Sequence, residues 1–446
     1  MARTVLSGET FSISFSDREV TAWGGLVLLK RMLDSLGFRE ALGTFGLPLP
    51  RSNRGYAPWL LIEQFIVAIW CGASRFAHAE TVRFDRTLTR LFGWERVAGH
   101  KAIVRLFERF DMLSNERVQA ETYRWFFRQI PALKRITLDL DSTVITRHGE
   151  QAGATRGYNP GRRGRPSHHP LLAFVAEARV VANFWLRPGN THSANNVLQF
   201  LEATLHHLGD IAVGLLRADS GFFEDAFLTA LEAKRIAYVV AARLTPPLQR
   251  ALYQATDWWA VAPGLELTEI TYQAHAWNRA RRLIVVRQSI ERKSAPGKTL
   301  ALFEDDPDIQ GWRYGAFATT LDLPTVEVWR TYRGRADCEN RIKELKADFG
   351  LEAFNLRDFW ATEAALGFTM LAYNLMSLFR QAVLQSRVQH TLSTLHGLVL
   401  AIGASWHPDA KQQRLLLSVP RRKRAWFSGL WANAAAPPVI PGLGGG

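Results

Sequence analysis

Only two cysteines, Cys71 and Cys338, stand among 446 residues. That is too few for a disulfide framework, and they offer no paired spacing for a zinc site. Long apolar runs are missing as well. The two most apolar windows are broken by polar groups, Leu60 to Cys71 by Glu63 and Gln64, and Ala364 to Phe379 by Thr369 and Asn374. Both read as buried helices rather than membrane spans. The Met1-Ala-Arg-Thr start has no apolar signal core, so the expectation is a cytoplasmic protein with no membrane partner. Acids are scarce relative to bases: Asp+Glu 41 against Lys+Arg 55 gives a net charge of +14. Such a surplus suits a polyanion far better than an acidic metabolite. With 47% hydrophobic residues the chain has ample material for real cores, and its length corresponds to about three domains or one large domain with insertions.

Periodicity divides the chain. Residues 1–130 read as a helical domain, with apolar residues at three- and four-residue spacing in Thr21 to Leu36, Pro58 to Cys71, Ala79 to Phe92, Lys101 to Phe110 and Asn115 to Gln129. Arg83, Arg86, Arg90, Lys101, Arg105 and Arg109 recur on its later helices, a pattern that fits contact with a DNA backbone or an ordinary solvated face. The period then changes to two. Strands are expected over Lys134 to Thr146, Leu171 to Ala178 and Arg179 to Leu186, a helix over Ser193 to Leu208, a strand over Ile211 to Ala218, a helix over Phe223 to Lys234 and a strand over Ile236 to Ala242. Three strands, a helix, a strand, a helix and a strand is the ribonuclease-H-like succession. The fold expected is therefore an α/β core, a mixed five-stranded sheet with helices. Its closing helix arrives only after an interruption, residues 244–324, that reads as a small β module near Leu265 to Ala276, Arg281 to Ile290 and Trp312 to Leu321. The core then comprises 131–243 and 325–385, with Pro324 starting and Gly350 stopping the closing helix. Residues 386–446 form a C-terminal helical segment with a basic tail, Pro420-Arg-Arg-Lys-Arg424.

Three acids stand out against this layout. Asp141 lies towards the end of the first strand and Asp219 ends the fourth; these strands neighbour each other in the expected sheet, so the two carboxylates would face one another. A charge there is costly unless it is neutralised. Two Mg²⁺ or Mn²⁺ ions, roughly 3.5–4 Å apart, would do so, because hard oxygen ligands favour those metals. The third acid is Glu339, on a stripe of the closing helix. At about 100° per residue Tyr332, Arg335, Glu339 and Lys346 fall at roughly 0°, 300°, 340° and 320°, with Asp337, Glu344 and Asp348 nearly opposite. One acid is thereby flanked by three phosphate-capable groups. Asp139 shares a face with Asp141, and alternation does not separate them; Asp141 is preferred because Ser-Thr follows it.

Asp141-Ser-Thr, Ala218-Asp219-Ser-Gly and the spacing Tyr332, two residues, Arg335, three residues, Glu339, six residues, Lys346 resemble the bacterial insertion-sequence transposases of the DDE class with the YREK signature. The Gly153-Ala-Thr-Arg-Gly-Tyr-Asn-Pro160 and Arg163-Gly-Arg-Pro-Ser-His-His-Pro170 block is similar to one subgroup of them. The resemblance implies a transposase that binds the terminal inverted repeats of its element, cleaves the DNA ends and joins them to target DNA. It implies that Asp141, Asp219 and Glu339 hold two metal ions, and that Tyr332, Arg335 and Lys346 contact phosphates at the transposon end. A homodimer holding paired ends follows by analogy. Relatives that cut through a hairpin stack an insertion aromatic on a flipped base, which makes Trp258, Trp259, Trp277 and Trp312 candidates, each also a natural core residue. Arg156, Arg162, Arg163 and Arg165, spaced by Gly157, Gly161 and Gly164, form a basic loop suited to DNA beside the first strand. His168 and His169 lack partners at metal-ligand spacing and read as core or DNA-facing. Two rivals remain: a nuclease on the same scaffold that only hydrolyses, and a domesticated DNA-binding protein without turnover.

Overall fold

A computed structural model describes residues 5–7, 12–14, 18–50, 55–290, 308–309, 311–386, 388–407 and 413–440. Part of the interruption, residues 291–307, and the Gly-rich end, residues 441–446, lie outside them. Among the described residues no helix is long and apolar enough to cross a membrane. The chain forms two compact units.

The first unit joins Met1–Ser114 with Ala347–Phe354 and Ala364–Pro441. Pro58–Trp70 is apolar on nearly every side and starts on a proline, whose fixed φ and missing N–H suit the first helical turn. It is accordingly buried, and the Trp70 indole donates to the Ala372 carbonyl at 3.1 Å. Phe65 meets Phe107 and Phe354 edge to face, with ring centres 5.1 and 4.9 Å apart. The helix read from the apolar window Ala364 to Phe379 is regular over Phe359–Leu378 and finishes in a π-helical turn, Phe379–Val383. A small sheet of Val20–Thr21, Ala404–His407 and Arg414–Leu417 also belongs here.

The second unit, Asn115–Lys346 with Asn355–Glu363, carries a ten-stranded mixed sheet flanked by helices. Its labelled strands are β1 (Arg135–Ser142), β2 (Leu171–Val175), β3 (Val180–Trp185), β4 (Ala212–Ala218), β5 (Ala237–Ala241), β6 (Trp259–Ala262), β7 (Leu265–Tyr272), β8 (Arg281–Ser289) and β9 (Trp312–Thr319). The spatial order is β6-β7-β8-β9-β5-β4-β1-β2-β3, and the short strand Asp308–Ile309 pairs with β9. β4 runs parallel to both β1 and β5, and every other pairing is antiparallel. The helices are α1 (Val197–Leu208), α2 (Asp225–Ala233), α3 (Pro246–Tyr253), α4 (Thr325–Arg333) and α5 (Ala336–Ala347). β2 and β3 are buried throughout apart from Trp185, which explains their nearly unbroken apolar sequences.

Alternation assigns the faces. Val239 packs with Ile284, Phe317 and Val328 of α4, whereas the adjacent Tyr238 donates to Glu232 of α2 at 2.8 Å. Successive strand residues point to opposite sides, so α4 and α2 cover opposite faces of β5. Register then carries the α4 face across the sheet through Val239, Arg217, Asp139 and Phe174.

Two expectations need correction. The interruption is not a β module of its own: β9 pairs with β5 and β8 with β9, so its strands extend the central sheet, and a helix, α3, precedes them. Apolar β-branched runs signal strand but not partner, and pairing here is set by long-range register. The closing helix is also not continuous. Arg217 Nη1 donates to the Thr331 carbonyl at 2.8 Å, while the Arg335 N–H bonds to Tyr332 O at 2.9 Å. A buried guanidinium thus claims a carbonyl that the next helical turn would have used, and Gly334 leaves the room for it: a Cβ there would stand 2.5 Å from that nitrogen.

Glu363, 5% exposed, accepts the Leu186 N–H at 3.0 Å just past the end of β3. Burial pushes its carboxyl up to about 8, against the pull of that N–H and with the help of the Glu116 charge. The folded value lies above the unfolded one, so this group's contribution is fully present below the ordinary carboxyl range and lost as pH rises through about 8. Glu363→Gln should melt close to the native protein at about pH 5 and a few degrees higher at about pH 9 in thermal unfolding. Equal melting temperatures at the higher pH would contradict a buried neutral carboxyl.

Candidate active site

The parallel pairing of β1 and β4 builds the site. Ala218 lies in register with Leu140. Asp219 and Asp141 each come one residue later, at the carboxyl ends of neighbouring strands whose backbones run about 4.8 Å apart. Asp219 leaves β4 in extended conformation and its Oδ1 accepts the Gly221 N–H at 2.9 Å. Asp141 Oδ1 accepts the Ser142 N–H at 2.8 Å. Both carboxylates are thus held by backbone donors immediately after them.

Asp139, the rival to Asp141, is engaged elsewhere. Arg217 grips both its oxygens, Nε to Oδ1 at 2.6 Å and Nη2 to Oδ2 at 2.8 Å, with Asp139 only 1% exposed. Burial raises its pKa and the Arg217 fork opposes the rise. Asp141 has a looser arrangement: Arg335 Nη2 stands 3.0 Å from Oδ2 and also donates to the Leu140 carbonyl at 3.2 Å. Burial pushes the Asp141 carboxyl up to about 6; Arg335 counters this, and the charges of Asp219 and Glu339 add to the rise. Those two influences register all three acids in one electrostatic neighbourhood. Arg335 is itself buried, which works against its charge, yet Asp141 holds its pKa above the usual value.

Glu339 is exposed in the first turn of α5. It lines a cleft of about 570 Å³ together with Trp329, Tyr332 and Arg335 on one wall and Pro263 and Gln288 on the other. Tyr332 rests on Phe317, ring centres 4.3 Å apart, and burial raises its phenol pKa. Lys346 Nζ donates to the Val144 carbonyl at 2.8 Å, two residues past the end of β1. Because the helix breaks at Gly334–Arg335, the expected four-residue stripe is split. Glu339 and Lys346 share a face of α5, while Tyr332 lies in the last turn of α4 and Arg335 turns inward to Asp141. Sequence spacing alone did not reveal this pairing.

Among the described residues no three His, Cys, Asp or Glu side chains gather tightly enough to hold a metal ion directly. The donor chemistry nonetheless fits a hard divalent cation: the acids offer oxygen alone, and their mutual repulsion at Asp141 is what such an ion relieves. The guanidinium of Arg335 supplies the positive charge beside Asp141 in this structure.

The basic loop is an ordered hairpin. Ile145–Thr146, Pro166–His168 and Thr155–Arg156 form a three-stranded sheet just beyond β1. Asn159 ties it down, donating to Thr146 Oγ1 and accepting the Arg162 N–H, both at 3.0 Å. Arg156, Arg162, Arg163 and Arg165 are all exposed around its tip. Gly157 serves packing rather than an open approach: a Cβ on it would come within 2.1 Å of the Gly189 carbonyl oxygen. His168 is core, accepting from Arg147 Nε at 3.0 Å and donating from Nε2 to Ala152 O at 2.9 Å. Of the tryptophans, Trp258 and Trp312 both carry the Arg287 guanidinium over their rings at 4.0 and 4.6 Å. Trp277 packs on Phe223 at 5.1 Å, and Trp259 is 53% exposed on β6.

Two carboxylates thus stand at neighbouring parallel-strand ends, with a third acid on a following helix. The chain matches the Transposase DDE domain group 1 family across residues 3–433 and belongs to that family. No curated protein matches it. Among solved structures it is similar to a piggyBac transposase, described as a synaptic complex with hairpin DNA. The two are 14% identical over 86% of this chain and 82% of that one, with a TM-score of 0.39, too slight a likeness to carry structural inference.

The Asp139–Arg217 pair generates a stability prediction. Arg217→Ala should cost about 3–5 kcal/mol in urea unfolding because it strands a buried carboxylate. Adding Asp139→Leu should recover much of that loss; no recovery would mean that Arg217 matters through Thr331 instead.

Proposed function

We propose that this protein is a cut-and-paste DNA transposase whose reacting centre is Asp141, Asp219 and Glu339. The observation that carries the reading is the in-register placement of Asp141 beside Asp219 at the ends of parallel strands, with Glu339 close enough to raise the same carboxyl, in a chain of the DDE transposase family. The strand order β3-β2-β1-β4-β5, with β1, β4 and β5 parallel, supports a ribonuclease-H-like core. The three acids would hold two Mg²⁺ or Mn²⁺ ions, which when bound supply activation of an attacking hydroxyl and stabilisation of the leaving oxygen.

The chain's own residues do the remaining work. Exposed Arg162, Arg163 and Arg165 attract the DNA backbone towards the end of β1. Tyr332 and Lys346, on either side of Glu339, flank the phosphate to be cut, and Arg335 offers a planar fork to it once released from Asp141. Trp259 is the insertion tryptophan with an open ring for stacking on an unpaired base. The substrates are the terminal inverted repeats and target DNA, held by a homodimer that pairs two ends. After cleavage, joining uses the freed 3′-hydroxyl as nucleophile at a target phosphodiester, with one bond formed for each bond broken.

The test uses a duplex carrying the inverted repeats that flank the gene. Asp141→Ala, Asp219→Ala and Glu339→Ala should each abolish strand cleavage in Mg²⁺ while end binding by gel shift persists. Native cleavage by all three would sink the assignment. Joining of a pre-cut end to plasmid separates a transposase from a nuclease, which would leave the donor end unjoined. Replacing Arg162, Arg163 and Arg165 together with alanine should flatten the salt dependence of binding by up to about three units of log–log slope. An unaltered slope would remove the hairpin from the interface.

A further inference from the structure

A polar chain beside the two strand-end acids is not used by the reading above. The segment after β3 that carries it is pinned by Arg187, 4% exposed. Its Nε donates to the His169 carbonyl at 2.9 Å, and its Nη1 to the carbonyls of His192, Ser193 and Asn195 at 3.0, 3.3 and 2.9 Å. This holds Ser193 against the end of β1, with Ser193 Oγ 3.0 Å from Ser142 Oγ. Ser142 Oγ in turn lies 3.2 Å from His169 Nε2, and His169 Nδ1 lies 2.8 Å from the Thr191 carbonyl oxygen.

Chemistry fixes the direction of this chain. A carbonyl oxygen accepts and never donates, so His169 Nδ1 carries the hydrogen. The ring is 7% exposed, and burial, the leading influence, lowers its pKa and keeps it neutral. Nε2 then has a lone pair, Ser142 donates to it, and the Ser142 oxygen accepts the Ser193 hydroxyl. The Ser193 oxygen is left with its lone pairs facing away from Ser142. Gly221 joins it to the acid: a Cβ built there would stand 2.9 Å from Ser193 Oγ and 3.0 Å from Asp219 Oδ1. The serine oxygen and the carboxylate oxygen therefore both pack closely against Gly221, which places Ser193 beside the acid that ends β4.

We propose that Ser193 orients the attacking oxygen, its Oγ accepting a hydrogen bond from the water or 3′-hydroxyl that reacts beside Asp219, with Ser142 and His169 as positioning residues that set its polarity. This rests on the reading of Asp141, Asp219 and Glu339 as the reacting centre. A chain that merely stitched β1 to the neighbouring loop would not need to end on a hydroxyl beside Asp219. Ser193 is half-buried where His169 is buried, as a residue that meets substrate should be.

The experiment is nicking of supercoiled plasmid by the full-length protein in Mn²⁺, with binding to a fluorescent duplex and thermal melting measured alongside. Ser193→Ala should nick about tenfold or more slowly, the effect of one hydrogen bond made in the transition state, with binding and melting unchanged. Ser193→Thr, which keeps a hydroxyl, should restore most of the rate. Nicking by Ser193→Ala within about twofold of native while Asp219→Ala nicks nothing would overturn the role of Ser193 and leave the reacting centre intact. A threonine variant as slow as the alanine one would also overturn it, since the hydroxyl would not be what matters. Native nicking by Asp219→Ala would instead sink the reading on which the proposal rests.

Discussion

Burial of the Asp141 carboxylate beside a second acid, at the ends of two adjacent parallel strands, is the constraint around which the second unit is arranged. The pairing of β1 with β4 brings buried Asp141 beside Asp219, whose charge adds to the burial that disfavours the ionised form of Asp141. Guanidinium groups answer this from one face of the sheet. Arg217 clamps Asp139 two residues earlier, and Arg335 approaches Asp141 from the break between α4 and α5. The break is itself a product of the first pair, since Arg217 reaches past Asp139 to take the Thr331 carbonyl. One ion pair in the sheet thus shapes the backbone that delivers the second to Asp141.

Much of this was legible in the residues. The apolar β runs ending in Asp141 and Asp219 announced both strands, and the succession of strands and helices appeared within a few residues of its expected bounds. Pairing distance hid the rest. No local pattern says that β9 will lie beside β5, because an alternating apolar strand fits many edges equally well. Nor does helical spacing reveal that Arg217, more than a hundred residues upstream, interrupts the closing helix. The wheel that grouped Tyr332, Arg335, Glu339 and Lys346 assumed an unbroken helix, and Arg335 faces Asp141 because that helix breaks. Ser142 offered a faint local signal, as the residue after the acid, but Ser193 and His169 joined it only through the fold.

The glycines of the basic hairpin separate in the same way. Gly157 stands where two backbones nearly touch, against Gly189, and Gly189 in turn abuts the carbonyls of Thr155 and Ser167. Those two serve close packing at the hairpin's base. Gly161 and Gly164 have open space around them and Gly164 takes a positive φ of 75°, so they shape the tip that displays the arginines. A single composition bias in the sequence therefore covers two distinct physical jobs.

The extension of the central sheet by β6 to β9 has a mechanical consequence. A lobe tethered by two flexible strands of chain swings on hinges, but these strands belong to one hydrogen-bonded sheet with β5, whose neighbour β4 leads into Asp219. Rotating them as a separate flap would shear several ladder bonds at once. Load applied to the wall of the cleft at Pro263 or Gln288 travels instead through β-sheet as twist, arriving at the strand ends where the acids stand.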